Sequence, residues 1–487
     1  MKELKNIQKQ IVLLYLIVSR SISRYYQRFF LKKDDHQFSR KNTPLKKYIV
    51  AALALIGFVL LAFRFGGFSG TRENVSEGIV GLYTGNVLPQ SVANLISQPL
   101  VSTDKSGKPV PQLAASWQVN HDATVYTFKL KDNLYWEDGS KLKSSDIKFS
   151  LPDVTVSYPD DSTIEFKLAD TFYPFPGLLT SPLFKDETLT GIGKYRVAYK
   201  ETSRNIITKL ILVPVDDKDG LPGVTIRFYP DEGTARTAFE LGEVQSLVGM
   251  NGKNELSNEP GIKFKGVPNY NKLVSIFYNT KDSLLSDKNM RKALSYATPM
   301  IEGEVKAKTS LSPNSWAFND TVKDMTNDPE SAKSYLEKVS GLSGNVTLTT
   351  TPMLADLGEK IVASWKKNGI SAVLRIESGV PQNFQALLNA ESIPSDPDQY
   401  ALWHSTQTKT NISKYDSNKR VDKDLEDGRK TGDVEKRKEK YLDLQKVLAD
   451  DVPATFLYFP QNWVIYRPRI ENLLNKVLPL QLLTLGL

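Results

Sequence analysis

Few side chains in this sequence could carry catalytic or metal chemistry. The 487 residues contain no cysteine and only three histidines, His36, His121 and His404. Without cysteine the chain has no disulfide, no thiolate zinc site and no cysteine nucleophile. Three scattered histidines offer little for a Ser-His-Asp triad or a histidine metal cluster. We therefore predict no catalytic residue, no metal site and no cofactor.

Two acidic segments contain residue types that could bind a metal ion or act as a carboxylate pair. The sequence DDKDG at 216–220 is similar to the start of a calcium-binding loop, but no glutamate follows at the required distance. We interpret it as a solvated turn. Asp396 and Asp398 could form a carboxylate pair, yet Pro394 and Pro397 place them in a loop. These patterns do not support an enzyme.

The positive charge is concentrated in the first 47 residues. The whole chain carries a formal charge of +8, whereas residues 1–47 contain twelve Lys or Arg against three acidic residues, a net of +9. The remaining 440 residues are therefore close to neutral. A basic body would suggest nucleic-acid binding, and this distribution removes that argument.

A charge-free apolar segment follows the basic tail. Residues 48–63 are uncharged, and snorkelling by Lys47 and Arg64 extends the segment, to about residue 65, towards the ~20 residues that a bilayer requires. The excess of Lys and Arg before it predicts an uncleaved signal anchor with residues 1–47 in the cytoplasm. The alternative is a cleaved signal peptide, which normally has a short basic region. We expect residues 66–78 to form a flexible tether outside the membrane.

The basic tail itself has amphipathic character. Arg20, Arg24 and Arg28 recur every four residues beside aromatic side chains. This pattern predicts an interfacial helix on the anionic cytoplasmic leaflet. A docking helix for a cytoplasmic partner is the alternative.

A strand-to-helix transition stands near the middle of the chain. Residues 273–278 are apolar apart from Ser275, and Met290, Ala293, Leu294 and Ala297 then follow helical spacing. Elsewhere the patterns predict a helix through Leu95, a second helix starting at residues 111–114, and strands at 124–130 and 134–136. Residues 422–449 predict two charged surface helices that serve only as scaffold.

Several long motifs carry a family resemblance. They are NLISQPLVSTDKSGKPVPQLAASWQV at 94–119, TVYTFKLKDNLYWEDGSKLKSSDIKFSL at 124–151 and TIEFKLADTFYPFPGLLTSPLF at 163–184. In order and spacing they resemble the oligopeptide- and dipeptide-binding extracellular solute-binding proteins, family 5, of ATP-binding-cassette importers. The resemblance covers most of residues 79–475. Shortened segments at 152–162 and 377–384 make this a trimmed member.

The resemblance implies an α/β, bilobed, type II periplasmic-binding-protein fold with two hinge crossovers, preceded here by the predicted transmembrane helix. Lobe I would span residues 79–272, with a reduced subdomain at about 100–185. Lobe II would span 273–455, and residues 456–487 would return to lobe I. The crossover strands are expected at 273–278 and 454–458.

The implied function is capture of a peptide or similar small solute by a membrane-anchored, extracytoplasmic protein with a monomeric body. Delivery would be to the permease subunits of an importer, and residues 48–65 would contact the lipid bilayer. One alternative is an envelope sensor or scaffold in which residues 1–47 signal inward. A hydrolase built on the same scaffold is the other.

The family places its ligand contacts near the crossover strand and near the Asp-Pro-Asp loop. The candidates are Tyr83, Tyr278, Asn279, Trp316, Asp396, Tyr400, Trp403 and His404. For the tryptophans, ordinary core packing is an equal alternative. Peptide-binding relatives hold the ligand's amino end with an aspartate shortly before this loop, where the present chain has Ile393. The usual amine anchor is therefore missing, and we expect either peptide binding without a tightly held amino end or binding of another solute. Asp396 is the nearest acidic substitute if a cation is held.

Overall fold

The computed structural model describes residues 73–481 except 86, 186–187, 253–254 and 340–343. The predicted basic tail, apolar segment and most of the tether lie outside these residues. Among the described residues, no helix combines the length and apolar character needed to cross a bilayer.

Nineteen strands and nine α-helices are described within these ranges. In chain order the strands are β1 (Asn74–Val80), β2 (Val101–Thr103), β3 (Pro109–Pro111), β4 (Ala114–Val119), β5 (Val125–Leu130), β6 (Val154–Asp160), β7 (Thr163–Leu168), β8 (Tyr195–Ser203), β9 (Ile206–Pro214), β10 (Gly223–Tyr229), β11 (Ser246–Met250), β12 (Lys263–Pro268), β13 (Lys272–Tyr278), β14 (Val305–Lys306), β15 (Val346–Thr350), β16 (Ala372–Ile376), β17 (Ala386–Ser392), β18 (Ala454–Phe459) and β19 (Gln461–Tyr466). The helices are α1 (Gln90–Ile96), α2 (Glu232–Glu240), α3 (Lys288–Ala297), α4 (Pro329–Leu336), α5 (Ala355–Lys367), α6 (Tyr400–Trp403), α7 (Lys419–Lys430), α8 (Val434–Asp451) and α9 (Glu471–Gln481).

Two large sheets define two lobes. The first sheet has the order β12-β19-β11-β1-β10-β9-β8, and the second has the order β14-β18-β13-β17-β15-β16. In the second sheet β13 is central, and six of its seven residues are buried. A strand covered on both faces requires the nearly continuous apolar run seen in the sequence. Helix α3 follows it, with the Asp287 side chain accepting the Asn289 amide at the N-cap.

The chain passes between the sheets twice, at adjacent points. It leaves the first sheet after β12 and enters the second at β13, and it returns from β18 to β19 through Pro460. The Asn269 amide donates a 2.8 Å hydrogen bond to the Pro460 carbonyl. The two connections therefore lie side by side. On the return, the chain changes from the second sheet to the first at Pro460.

A smaller all-β subdomain is inserted before β8. It contains the four-stranded sheet β4-β5-β7-β6 and the hairpin β2-β3. Its core includes Phe128, Phe166 and Phe175, whose rings meet edge to face or at a tilt. The prediction of a helix starting at residues 111–114 is wrong. Strand β4 pairs antiparallel with β5 there, and this pairing outweighs the helical preference of Ala114 and Ala115.

Candidate functional site

The subdomain contacts lobe II through the hairpin β2-β3. The Trp316 amide donates a 2.9 Å hydrogen bond to the Ser106 carbonyl. Gly107 has a φ of +83°, and a Cβ at this position would lie 2.7 Å from the Ser395 carbonyl oxygen. Only glycine therefore allows both this turn and this close approach.

A second contact lies at the charged helices. The Tyr173 amide donates a 3.0 Å hydrogen bond to the Arg429 carbonyl at the end of α7. The Arg429 guanidinium carbon lies 5.1 Å from the centre of the Phe172 ring in the subdomain and 3.9 Å from that of Tyr400 in lobe II. Arg429 is thus held between aromatic rings from both sides of the interface.

The lobes border a half-open pocket of about 50 Å³ beside the first contact. Its walls come from the hairpin, the first crossover and two loops of lobe II. The lining residues are Thr103, Asp104, Lys105, Ser106, Gly107, Tyr270, Asn271, Leu311, Ser312, Asn314, Ser315, Pro394 and Ser395. This volume holds a few water molecules.

Both carboxylates of the Asp-Pro-Asp loop are paired with arginines. Asp396 Oδ1 lies 2.9 Å from Arg437 Nη2, and Asp398 Oδ2 lies 2.9 Å from Arg429 Nε. Burial raises the pKa of Asp398, and Arg429 only partly offsets this. For Arg437, burial lowers the pKa, but Asp396 and Tyr441 outweigh it and the net shift is upward. Pairing is what makes such buried charges tolerable.

The indole of Trp316 lies against the same ion pair. The Arg437 guanidinium carbon is 5.3 Å from the centre of the Trp316 ring, and Tyr441 meets that ring edge to face at 6.0 Å. The indole nitrogen is buried and has no hydrogen-bond partner among the described residues. It is therefore a desolvated donor without an acceptor.

His404 and Tyr400 lie next to Arg429 within lobe II. The His404 ring stacks on Tyr400 with 4.0 Å between ring centres, so Arg429 and His404 must cover opposite faces of Tyr400. His404 Nε2 lies 3.2 Å from Glu426 Oε1, and His404 Nδ1 lies 2.8 Å from Thr406 Oγ1. Both ring nitrogens are thus engaged within the lobe.

The other predicted residues lie elsewhere. Tyr278 is fully buried and its hydroxyl shares a 2.7 Å hydrogen bond with Thr455 Oγ1. Trp403 is 1% exposed and its indole donates to Gln399. Asn279 donates its amide to the Phe384 carbonyl beside a shallow surface depression. Tyr83 packs 5.0 Å from Phe228 in lobe I.

Trp316, Asp396 and Tyr400 are the predicted residues that come together at the interface.

The sequence of the chain matches one protein family over most of this architecture. Residues 108–413 match the family model described as bacterial extracellular solute-binding proteins, family 5, middle region. This match spans more than half of the chain. The chain belongs to family 5 of the bacterial extracellular solute-binding proteins.

Similar proteins place the family assignment in context. The dipeptide-binding protein of Escherichia coli is 24% identical over 434 residues, which cover 72% of this chain and 80% of that protein. The oligopeptide-binding protein AppA of Bacillus subtilis is 23% identical, covering 80% and 86% respectively. The ABC transporter substrate-binding protein CtaP of Listeria monocytogenes superimposes with a TM-score of 0.68 at 22% identity, covering 82% and 95%. The family 5 bilobed fold is thus confirmed, and these relatives are binding proteins.

Two expectations for this family 5 protein concern the Asp-Pro-Asp loop and the helices beside it. Helices α7 and α8, predicted as scaffold, supply Arg429 and Arg437 to the ion pairs of this loop. Asp396, predicted as the nearest acidic substitute if a ligand cation is held, pairs with Arg437 in this structure. The sequence gives a weak signal for this pairing. Arg429 lies eight residues before Arg437 within otherwise alternating charges, so neither arginine stands out.

Proposed function

We propose that this protein is a membrane-anchored, extracytoplasmic solute-binding protein that captures a peptide or similar small solute between its lobes. It delivers that solute to the permease of an ATP-binding-cassette importer. The anchor is residues 48–65, with residues 1–47 in the cytoplasm. Tyr83, Tyr278, Asn279, Trp316, Asp396, Tyr400, Trp403 and His404 remain the proposed site residues, with the interface group of Trp316, Asp396 and Tyr400 foremost.

The observation that carries this proposal is the pair of adjacent crossovers between the two sheets. Residues 269–271 and Pro460 are short connections joined by a hydrogen bond, so they can act together as a hinge. The subdomain and lobe II also meet directly, at the hairpin turn beside the first connection, where Gly107 approaches Ser395, and at the end of α7. Rotation about the hinge would open and close the space between them.

The relatives favour peptides as the solute class. The similar proteins of Escherichia coli and Bacillus subtilis are named for dipeptide and oligopeptide binding. The full-length chain, purified in mild detergent, should carry a co-purified peptide that native mass spectrometry identifies. When it is released from the protein, that ligand should be chemically unchanged. Cleaved product would instead support the hydrolase alternative, and a bound ligand with no uptake through any permease would support the sensor alternative.

A further inference from the structure

The carboxylates near the interlobe cavity are already used within the protein. Asp104 Oδ1 accepts hydrogen bonds from the Ser106 amide, the Ser106 hydroxyl and the Lys108 amide. Asp396 and Asp398 are paired with Arg437 and Arg429. A ligand ammonium at Asp396 or Asp398 would have to compete with an arginine, and an unpaired buried charge is strongly unfavourable.

Two side chains beside the Asp-Pro-Asp loop, Arg429 and Trp316, have hydrogen-bond donors that are not used within the part of the chain that the structure describes. Arg429 uses Nε for Asp398, whereas Nη1 and Nη2 have no acceptor among the described residues. Its side chain is 29% exposed. The Trp316 indole nitrogen is buried without an acceptor, and the Lys108 ammonium lies 6.0 Å from the centre of the Trp316 ring. The face therefore has surplus donors and positive charge.

A ligand with several hydrogen-bond acceptors would pair with these unused donors. The two terminal nitrogens of a guanidinium form a planar fork that matches the two oxygens of a carboxylate. The Phe172 and Tyr400 rings on Arg429 keep that fork in one orientation. A buried indole N–H without a partner is costly, and a ligand carbonyl would remove this cost.

We infer that the interlobe face holds the carboxylate end of its solute on Arg429 and a neighbouring carbonyl on Trp316, with no anchor for a free amine. This inference rests on the proposed binding function and defines its ligand class as acids. For peptides it selects a free carboxyl terminus, and it tolerates a blocked amino terminus.

The test uses three pools of Ala-Xaa-Ala tripeptides with the same side chains. One pool is free at both ends, the second is N-acetylated and the third is C-terminally amidated. Native mass spectrometry of the full-length protein in detergent measures the retained fraction of each pool. Loss of a charged hydrogen-bond partner should reduce retention of the amide pool roughly tenfold. Acetylation should change retention by less than about twofold.

Two variants separate the binding role from folding. Arg429→Lys keeps a positive charge beside Asp398 but loses the planar fork, and Trp316→Phe removes the indole N–H but keeps an aromatic ring. Each should lower retention of the free acids several-fold, and Arg429→Lys should also reduce the preference for acid over amide. Lys423→Met, on the exposed side of α7 with an i,i+4 partner in Asp427, is the matched control and should bind like the parent protein.

Equal retention of acid and amide, or loss of binding on acetylation alone, would overturn the inference and leave the proposed binding function intact. If no pool is retained but a different solute co-purifies, the chemical identity of that solute tests the inference. An acid supports the inference, and a cation overturns it. If the protein carries and retains no solute at all, the proposed function itself fails.

Discussion

The Arg437 guanidinium and the Asp396 carboxylate form an ion pair inside the protein, with 2.9 Å between Nη2 and Oδ1. Their side chains are only 8% and 10% exposed. Arg437 also donates to the Gly428 carbonyl and to the Tyr441 hydroxyl. One side chain of α8 thus joins the Asp-Pro-Asp loop to the end of α7, next to the surface that meets the subdomain.

Arg437→Met should strongly destabilise the protein, because it leaves the Asp396 carboxylate buried without a cation. The expected loss in free energy of unfolding is about 3–5 kcal/mol. Chemical denaturation followed by circular dichroism measures it. Arg420→Met is the matched control, since its pair with Asp443 lies at the surface and should contribute little to stability.

A second substitution tests the cause of that loss. In the double variant Arg437→Met with Asp396→Leu no unpaired charge remains, so much of the stability should return. If the double variant is as unstable as Arg437→Met, packing of the arginine rather than its charge is what matters.

Gly107→Ala should prevent the close approach of the hairpin β2-β3 to lobe II, because the new Cβ would meet the Ser395 carbonyl oxygen. Gly139 offers a matched control in the same subdomain. It has a φ of +84°, and a Cβ there would meet no atom within 4 Å. Both alanine variants should lose about 1–2 kcal/mol from backbone strain, but only Gly107→Ala should change the distance between lobes.

Spin labels can measure that distance, because the chain lacks native cysteine. Lys131→Cys in the subdomain and Glu439→Cys on α8 are both exposed positions. Double electron–electron resonance should give a longer mean distance for Gly107→Ala than for Gly139→Ala. Identical distance distributions in the two variants would contradict the assigned role of Gly107.

Glu77 should make stability depend on pH. Burial in lobe I raises the pKa of Glu77 from 4.5 to about 7, although a hydrogen bond from Gln481 acts in the opposite direction. Between these two pH values the folded protein binds more protons at this site than the unfolded chain. The contribution of Glu77 to the free energy of unfolding therefore falls as pH rises from about 4.5 to 7, by roughly 3 kcal/mol.

Glu77→Gln removes this titration and keeps a similar shape. The difference in unfolding free energy between Glu77→Gln and the parent should increase from pH 5 to about pH 7.5 in favour of the variant. Taking the difference removes the contributions of other titrating groups, including Glu137, whose pKa burial also raises to about 7. A difference that does not vary with pH would show that Glu77 does not titrate in this range.

The proposed anchor predicts a defined membrane topology. Protease added to intact spheroplasts should digest the body and spare a small N-terminal fragment, because the basic residues before position 48 favour the cytoplasm. A tag on the N-terminus, detected by immunoblot, follows the fragment, and lysed spheroplasts provide the control. Spontaneous release of a body that lacks residues 1–65 would indicate a cleaved signal.

The sequence alone determined the family and the order of the main elements. Residues 273–278, apolar except for Ser275, predicted a buried strand because a strand covered on both faces has apolar residues at nearly every position. The long motifs between 94 and 184 carried the resemblance that the family match confirmed. Such patterns are local, so they can be recognised without knowing which segments pack together.

Only the tertiary structure decided which charges meet. Asp396 and Arg437 are 41 residues apart, as α7 and the loops before it separate them, and no spacing rule connects them. It also decided that Tyr278 and Trp403 lie in the core of lobe II while Trp316 reaches the interface, although all are aromatic residues near predicted ligand loops. Burial and charge pairing at the interface depend on how distant segments pack, and that information is spread over the whole chain.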